Sequence, residues 1–284
     1  MISLRQLEIF LAIAAKGSTT QAAVQVALSQ SAISNALAEL EQRLGVRLFD
    51  RVGKRLVLNE AGRRLQPRAQ LLMAQACELD ELFSSTQGRL AVGASTTIGN
   101  YMLPQLLGRG GVDQPCRRVE VANTEVIAGR VARCELDIGL VEGQARHPDL
   151  ELTHWQDDEM VVVASAAGGW TEAAVTLEQM PWIMREKGSG TRSVVEGEFP
   201  ELTASSVRLE LGSSEAIHHA VLAGLGVSCL SLQVVGRSLQ SGELVRLVPQ
   251  RSIRRPLYIL RHRQRPDTAA TAAFMQLIGR QAGL

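Results

Sequence analysis

Apolar positions in the N-terminal part of the chain fall in three helical stripes, followed by two short alternating runs. Leu4, Leu7, Phe10, Leu11 and Ala14 recur at intervals of three and four, which predicts a helix from about Leu4 to Ala15. Ser18 followed by Gln21 has the form of a capping box for a second helix, whose Ala22, Ala23 and Val26 are small enough for close packing. Ser29 caps a third helix, in which Ile33, Leu37, Leu40 and Leu44 form one buried stripe and Gly45 is the stop. Arg47–Phe49 and Arg55–Leu58 read as strands around a Val52-Gly53-Lys54 turn, so the helical unit carries a wing. From Glu60 to about Thr86, Leu65, Ala69, Leu72, Ala76, Leu79 and Phe83 alternate by four and three. That is a heptad seam, which needs a partner to cover it. Pro67, in the first turns, is expected to kink this helix.

After Gly88 the pattern changes to short apolar runs separated by helical segments. Strands are predicted at Leu90–Ala94, Val119–Ala122, Leu136–Val141, Met160–Ala164, Trp182–Met184, Val207–Leu211, Val227–Leu230 and Leu257–Arg261. Helices are predicted at Tyr101–Leu107, Val126–Cys134, Arg192–Phe199, Glu215–Ala223 and Thr268–Ala282. Alternation of this kind implies an α/β arrangement with parallel sheets, and its length suits two half-domains around a cleft.

Charge sharpens this division. The net charge of +1 conceals a basic head, with nine Lys/Arg against five Asp/Glu in residues 1–65, and a mildly acidic remainder. A basic head on an acidic body suits a nucleic-acid reader with a separate regulatory part. The four cysteines, Cys77, Cys116, Cys134 and Cys229, form no CxxC pair and read as incidental thiols of a reducing cytoplasm. Arg5, Gln6 and Glu8 interrupt any secretory signal core, and no run of about 18 apolar residues offers a membrane span. Enzyme motifs are missing: there is no Gly-x-Ser-x-Gly elbow, His-Glu-x-x-His or Gly-x-x-x-x-Gly-Lys-Ser/Thr loop. Gly224-Leu225-Gly226 lacks the third glycine of a dinucleotide fingerprint, and no cofactor or metal site is expected.

Leu7-Glu8-Ile9-Phe10, Ala22-Ala23, Leu28-Ser29-Gln30-Ser31-Ala32-Ile33-Ser34, Leu40-Glu41, Leu44-Gly45, Leu48-Phe49-Asp50-Arg51 and Asn59-Glu60-Ala61-Gly62 carry a resemblance. Together they resemble the winged helix-turn-helix of the LysR-type transcriptional regulators. The stretch Gly93 to Pro104, Arg185 to Arg192 and Gly224 to Ser228 resemble the effector domain of a sulfur- and carbon-metabolism branch. The resemblance implies a multidomain α plus α/β protein: a winged helix-turn-helix (1–58), a long linker helix (59–88) and a periplasmic-binding-protein-like effector domain (89–284). That domain would comprise two α/β subdomains, 89–161 with 267–284 and 162–266, with crossings near Val162–Ser165 and Arg263–Pro266. It further implies a homodimer or homotetramer in the cytoplasm, acting on a double-stranded DNA operator with RNA polymerase as a further partner. Ser31 stands where the family commonly has Pro, Asn35 where it has Arg, and Gly110-Gly111 where the first helix of the effector domain usually ends in an aromatic residue.

Candidate site residues follow. Ser29, Gln30, Ser31, Ser34 and Asn35 line the start and outward face of the third helix, where amide side chains can pair with adenine edges. Arg51, Lys54 and Arg55 of the wing would meet phosphates or the minor groove. Leu65, Leu72, Ala76 and Leu79 would hold the dimer. Ser95-Thr96-Thr97 and Ser189-Gly190-Thr191 each follow a strand and open a helix, and two such corners facing across a cleft would enclose a small anion, sulfite- or sulfate-like or a small carboxylate. Glu142, at a strand end, would point into the same cleft and favour a protonated oxyanion or donate its own proton. The Arg254-Arg255 pair reads as a solvated edge or an inter-subunit contact, and His218-His219 as no metal site. The rival class is a small-molecule-binding protein of periplasmic-binding-protein type with an incidental basic N-terminal module.

Overall fold

A computed structural model describes residues 1–53, 55–81, 90–110, 115–143, 145, 147–168, 177–202, 205–248 and 251–279. Lys54 and Phe83 lie outside the described residues. The chain forms two compact units, Met1–Thr86 and Gln87–Leu284.

In the first unit, α1 (Leu4–Lys16) opens on Ser3, whose hydroxyl accepts from the Gln6 amide while the Gln6 side chain accepts from the Ser3 amide. The reciprocal box thus sits here. Ser18 makes only the forward half of one at the start of α2 (Thr19–Val26), accepting from the Gln21 amide. Ser29 caps α3 (Gln30–Leu44), and Gly45 ends it in the left-handed conformation. The wing is a hairpin of β1 (Phe49–Val52) and β2 (Arg55–Leu58), two residues later than the pattern suggested for its first strand. The core collects Leu7, Phe10, Ile13, Ala22, Ile33, Leu40, Leu48 and Phe49, with the Phe10 and Phe49 rings 5.5 Å apart. Asn59 caps α4 (Glu60–Glu81), and Pro67 sits within it. The helix runs unbroken through Pro67, which lies past its first turn and removes only the one amide that would bond the Arg63 carbonyl. Leu65 packs on the unit's own core beside fully buried Ala69, whereas Leu72 (49%) and Leu79 (62%) are exposed.

The second unit is built on a mixed sheet. It opens with β3 (Leu90–Ala94), a π turn over Ile98–Met102 and α5 (Leu103–Arg109). Then come β4 (Cys116–Val121), α6 (Thr124–Ala132), β5 (Ile138–Glu142) and a long β6 (Leu150–Ser165). Next are β7 (Trp182–Arg185), α7 (Gly190–Glu198), β8 (Val207–Leu211), α8 (Ser214–Leu222), β9 (Ser228–Ser231) and α9 (Leu232–Gln240). The unit closes with β10 (Leu244–Arg246), β11 (Ile253–His262) and α10 (Ala269–Gly279). Seven strands run in the order β10-β6-β11-β5-β3-β4, with β9 also on β6. β3 is parallel to β4 and β5, and β7 to β8, whereas β11, β9 and β10 are antiparallel to their neighbours.

Two half-domains share this frame. β3, β4 and β5 with α5, α6 and α10 form one, in which Phe274 and Ile278 of α10 join Leu90, Val92 and Leu103 in the core. β7 to β10 with α7, α8 and α9 form the other, around Trp182, Phe199, Val163 and Val221. The return crossing lies earlier along the chain than the sequence suggested. β11 pairs with β6 along its whole length and reaches β5 by Leu257, so the return to the first half occurs well before Arg263–Pro266. Because the two connecting strands are paired to each other, the chain must return opposite where it left, near Met160 and Ile253.

Candidate functional site

The outward face of α3 presents Gln30, Ser31 and Asn35, all exposed, with Ser34 half-buried. The Ser29 hydroxyl is committed to the helix, accepting from the Ala32 amide and bonding Ser31 at 3.0 Å. Gln30 donates to Ser34 and Thr19, which aims its amide along the helix surface. Arg51 and Arg55 are exposed on the wing strands beside exposed Arg47, a row of cations without ion-pair partners among the described residues. The arrangement joins a small polar helix face to an exposed cationic fringe, the combination that base edges and phosphates require.

In the second unit, strand ends of both halves converge on Glu142. The carboxylate is 1% exposed and accepts four hydrogen bonds. The Ser95 hydroxyl (3.0 Å) and Thr97 amide (3.2 Å) donate to Oε1, and the Thr191 hydroxyl (3.0 Å) and Arg255 Nη1 (2.7 Å) to Oε2. Arg255, with no exposed surface, also donates to Thr191 (2.8 Å) and Thr97 (3.1 Å) and forks onto Asp158 Oδ2 at 2.7 Å. Ser231 donates to the remaining oxygen of Asp158. The backbones are equally close: a Cβ on Gly190 would lie 2.1 Å from the Glu142 carbonyl oxygen, so only glycine fits.

Burial opposes ionisation of Glu142, but Arg255 and the Thr97 and Thr191 hydrogen bonds outweigh it and hold the carboxyl below its usual range. Glu142 therefore neither carries a proton to donate nor keeps a free lone pair for a protonated ligand. The first corner, Ser95 and Thr97, is spent on the chain's own anion. Asp158 stands above its usual value because burial prevails over Arg255.

A second set bridges the halves alongside. Buried Arg185 forks onto Glu186, and its Nη1 donates to Thr96 (2.6 Å) and Ser214 (3.0 Å). Burial works against Glu186, yet Arg185 and Asn123 keep its pKa low. Ser189, at the cap position of α7, makes no capping bond, and its buried hydroxyl has no hydrogen-bond partner among the described residues. A half-open groove of about 560 Å³ runs beside the network, lined in part by Thr124, Glu125, Arg133, His147, Gly190 and Ser193.

The structure thus brings Ser95, Thr97, Glu142, Gly190 and Thr191 together, with Thr96 and Ser189 on the flank. Arg255, Asp158, Ser231 and Arg185 were missed. Arg255 is no solvated edge: it sits between buried Ile253 and Leu257 on the inward face of β11, while Arg254 points out. That alternation was the signal available in the sequence. Elsewhere, Cys116 and Cys229 are buried, and burial pushes the Cys229 thiol up to about 12. The His218 and His219 rings stack 5.6 Å apart, and His218 bonds Ser238. No metal-binding cluster and no helix long and apolar enough to cross a membrane occur among the described residues.

Comparison with known proteins agrees with this division. Residues 4–63 match the model of the bacterial regulatory helix-turn-helix protein, lysR family, and residues 84–283 that of the LysR substrate binding domain. A relative named HTH-type transcriptional regulator YeiE, from Escherichia coli, is 46% identical over 96% of each chain. The RuBisCO operon transcriptional regulator of Allochromatium vinosum is 31% identical, over 98% of this chain and 95% of its own. The CcmR regulatory domain of Synechocystis, solved in complex with 2-PG, is 31% identical with a TM-score of 0.60, over 69% of this chain and 98% of its own. These relatives are named as regulators, not enzymes, and the helix-turn-helix match sets aside the reading of an incidental basic module.

Proposed function

The chain belongs to the LysR family of DNA-binding transcriptional regulators, and on that premise we propose that a small anion, bound between its two effector half-domains, sets its affinity for an operator. One observation carries the reading: Ser189 is 2% exposed, its hydroxyl has no partner among the described residues, and it stands at the uncapped N-terminus of α7. A buried hydroxyl without a partner costs about 1–3 kcal/mol, and a helix start adds amides and a favourable dipole for an acceptor bearing negative charge. The first corner is closed to such a ligand by Glu142, so the second receives it.

The surroundings narrow the ligand. Three carboxylates, Glu142, Asp158 and Glu186, are paired here with two guanidinium groups, Arg185 and Arg255, so a second charge on the ligand is penalised. A monoanion such as hydrogensulfite therefore suits the site better than a dianion such as sulfate. The 2-PG of the Synechocystis neighbour offers the alternative of a small phosphorylated carboxylate. On the DNA side, Gln30, Ser31, Ser34 and Asn35 read bases, with Ser29, Arg51, Lys54 and Arg55 on the backbone. Leu72, Leu79 and Ala76 form the seam of a cytoplasmic dimer or tetramer, with Leu65 contributing mainly to the unit's own core, and the bound assembly addresses RNA polymerase.

Thermal shift of the full chain against sulfite, sulfate, 2-phosphoglycolate and short carboxylates tests the ligand class. At least one small anion should raise the melting temperature of the wild type and leave Ser189→Ala unmoved. Stabilisation by sugars or aromatic acids, with no response to any small anion, would overturn it. Thr97→Val is no substitute, because that hydroxyl is tied to Arg255.

A further inference from the structure

We propose that Glu142 is a built-in anion: its carboxylate is the resident occupant of a cradle assembled from both half-domains, and it holds them together without any ligand. The cradle has the donors of an anion site, namely two hydroxyls, a backbone amide at a helix start and one arm of a guanidinium fork. Two carboxylate oxygens have about four acceptor positions, and all four are filled. The donors come from three places: Ser95 and Thr97 on the first half, Thr191 on the second, and Arg255 on the strand that connects them. A side chain serving only its own half would not collect Thr191. Gly190 allows the second half to close directly onto the Glu142 backbone, which places the carboxylate where a bound anion would otherwise draw the halves together.

The inference does not rest on the anion proposed above for Ser189, and its test needs no natural ligand. Glu142→Ala deletes one methylene and a carboxylate, which are the methyl and carboxylate of acetate. The adjoining groove, which Glu142 itself borders, gives that probe a way in. In the full chain the variant should melt below the wild type. Acetate at tenfold over its Kd should recover about 3–6 °C, from the binding stabilisation at that ratio and the usual sensitivity of a domain this size. Propionate, one methylene longer, should recover less. Chloride at equal ionic strength should recover nothing, and acetate should shift the wild type less than the variant, by no more than binding at Ser189 supplies. Acetate that shifts both proteins equally, or leaves the variant unmoved, overturns the proposal.

A second measurement stands if the variant fails to fold. In the wild-type chain, freed of added anions, hydrogen exchange at the Thr97 amide should be as slow as at the neighbouring β3 amides. Fast exchange that slows only when an anion is supplied would show the cradle to be empty by default, and Glu142 not its occupant.

Discussion

Arg255→Met removes the group on which both halves of the cleft converge while keeping most of its volume. The wild-type guanidinium spends its donors on Glu142, Thr191, Thr97 and Asp158, with no surface exposed. Without it, two carboxylates remain buried, Glu142 with three donors and Asp158 with Ser231. Removing one partner of a buried ion pair costs about 3–5 kcal/mol, chiefly through the charge left behind. For a unit the size of Gln87–Leu284 that is a fall in melting temperature of about 6–20 °C. Arg255→Lys, a point charge with fewer donors, should fall between the two. The loss must also depend on pH. Glu142 titrates below its ordinary value in the wild type, so its contribution is present above about pH 4.5 and lost as the pH falls through the depressed value. In the variant, burial without Arg255 lifts the same carboxyl above that value, and its charge becomes a penalty that protonation removes. The gap between the two proteins is therefore full at pH 7 and narrows below about pH 5. Chemical denaturation at both pH values measures it. A loss under about 1 kcal/mol at pH 7, or one of equal size at pH 7 and pH 4.5, would refute the electrostatic account and leave only packing.

Two further perturbations probe the frame. Gly190→Ala puts a Cβ against the Glu142 carbonyl, and neither backbone can swing aside; the half-domains should be wedged apart, seen as faster amide exchange at Thr97 and Gly190, and unchanged exchange would contradict the tight closure. Leu72→Asp places a charge on the uncovered seam of α4, where Leu72 is 49% exposed; sedimentation should show a smaller species, and an unchanged mass would remove this helix from the interface.

Legibility in the sequence followed the range of the interactions. The first unit was readable because its signals are local: Ser18 and Ser29 ahead of apolar stripes, and Gly45 at a left-handed helix end. Its wing shifted only because the hairpin closes tightly around Gly53, pairing Val52 with Arg55. Cleft residues at strand ends and helix starts, such as Ser95, Thr97, Glu142 and Thr191, were likewise visible. Long-range pairing was not. Exposed positions at Thr153, His154 and Asp157 interrupt the apolar pattern of β6, so only Met160–Ala164 was recognised out of Leu150–Ser165. Arg255 was hidden by chemistry rather than by pattern. A guanidinium beside another arginine looks like surface until the carboxylates that neutralise it, Glu142 and Asp158, are brought from distant strands.

The most direct test of the account measures operator affinity. Full-length protein is titrated against its own upstream DNA and against random DNA at one fixed salt concentration, with and without the anion that stabilises it. The account predicts tighter binding to the upstream site and a midpoint that the anion moves by about 5–150-fold in the wild type but not in Ser189→Ala. Equal affinity for the two DNAs, or a midpoint that no small anion moves, would contradict it.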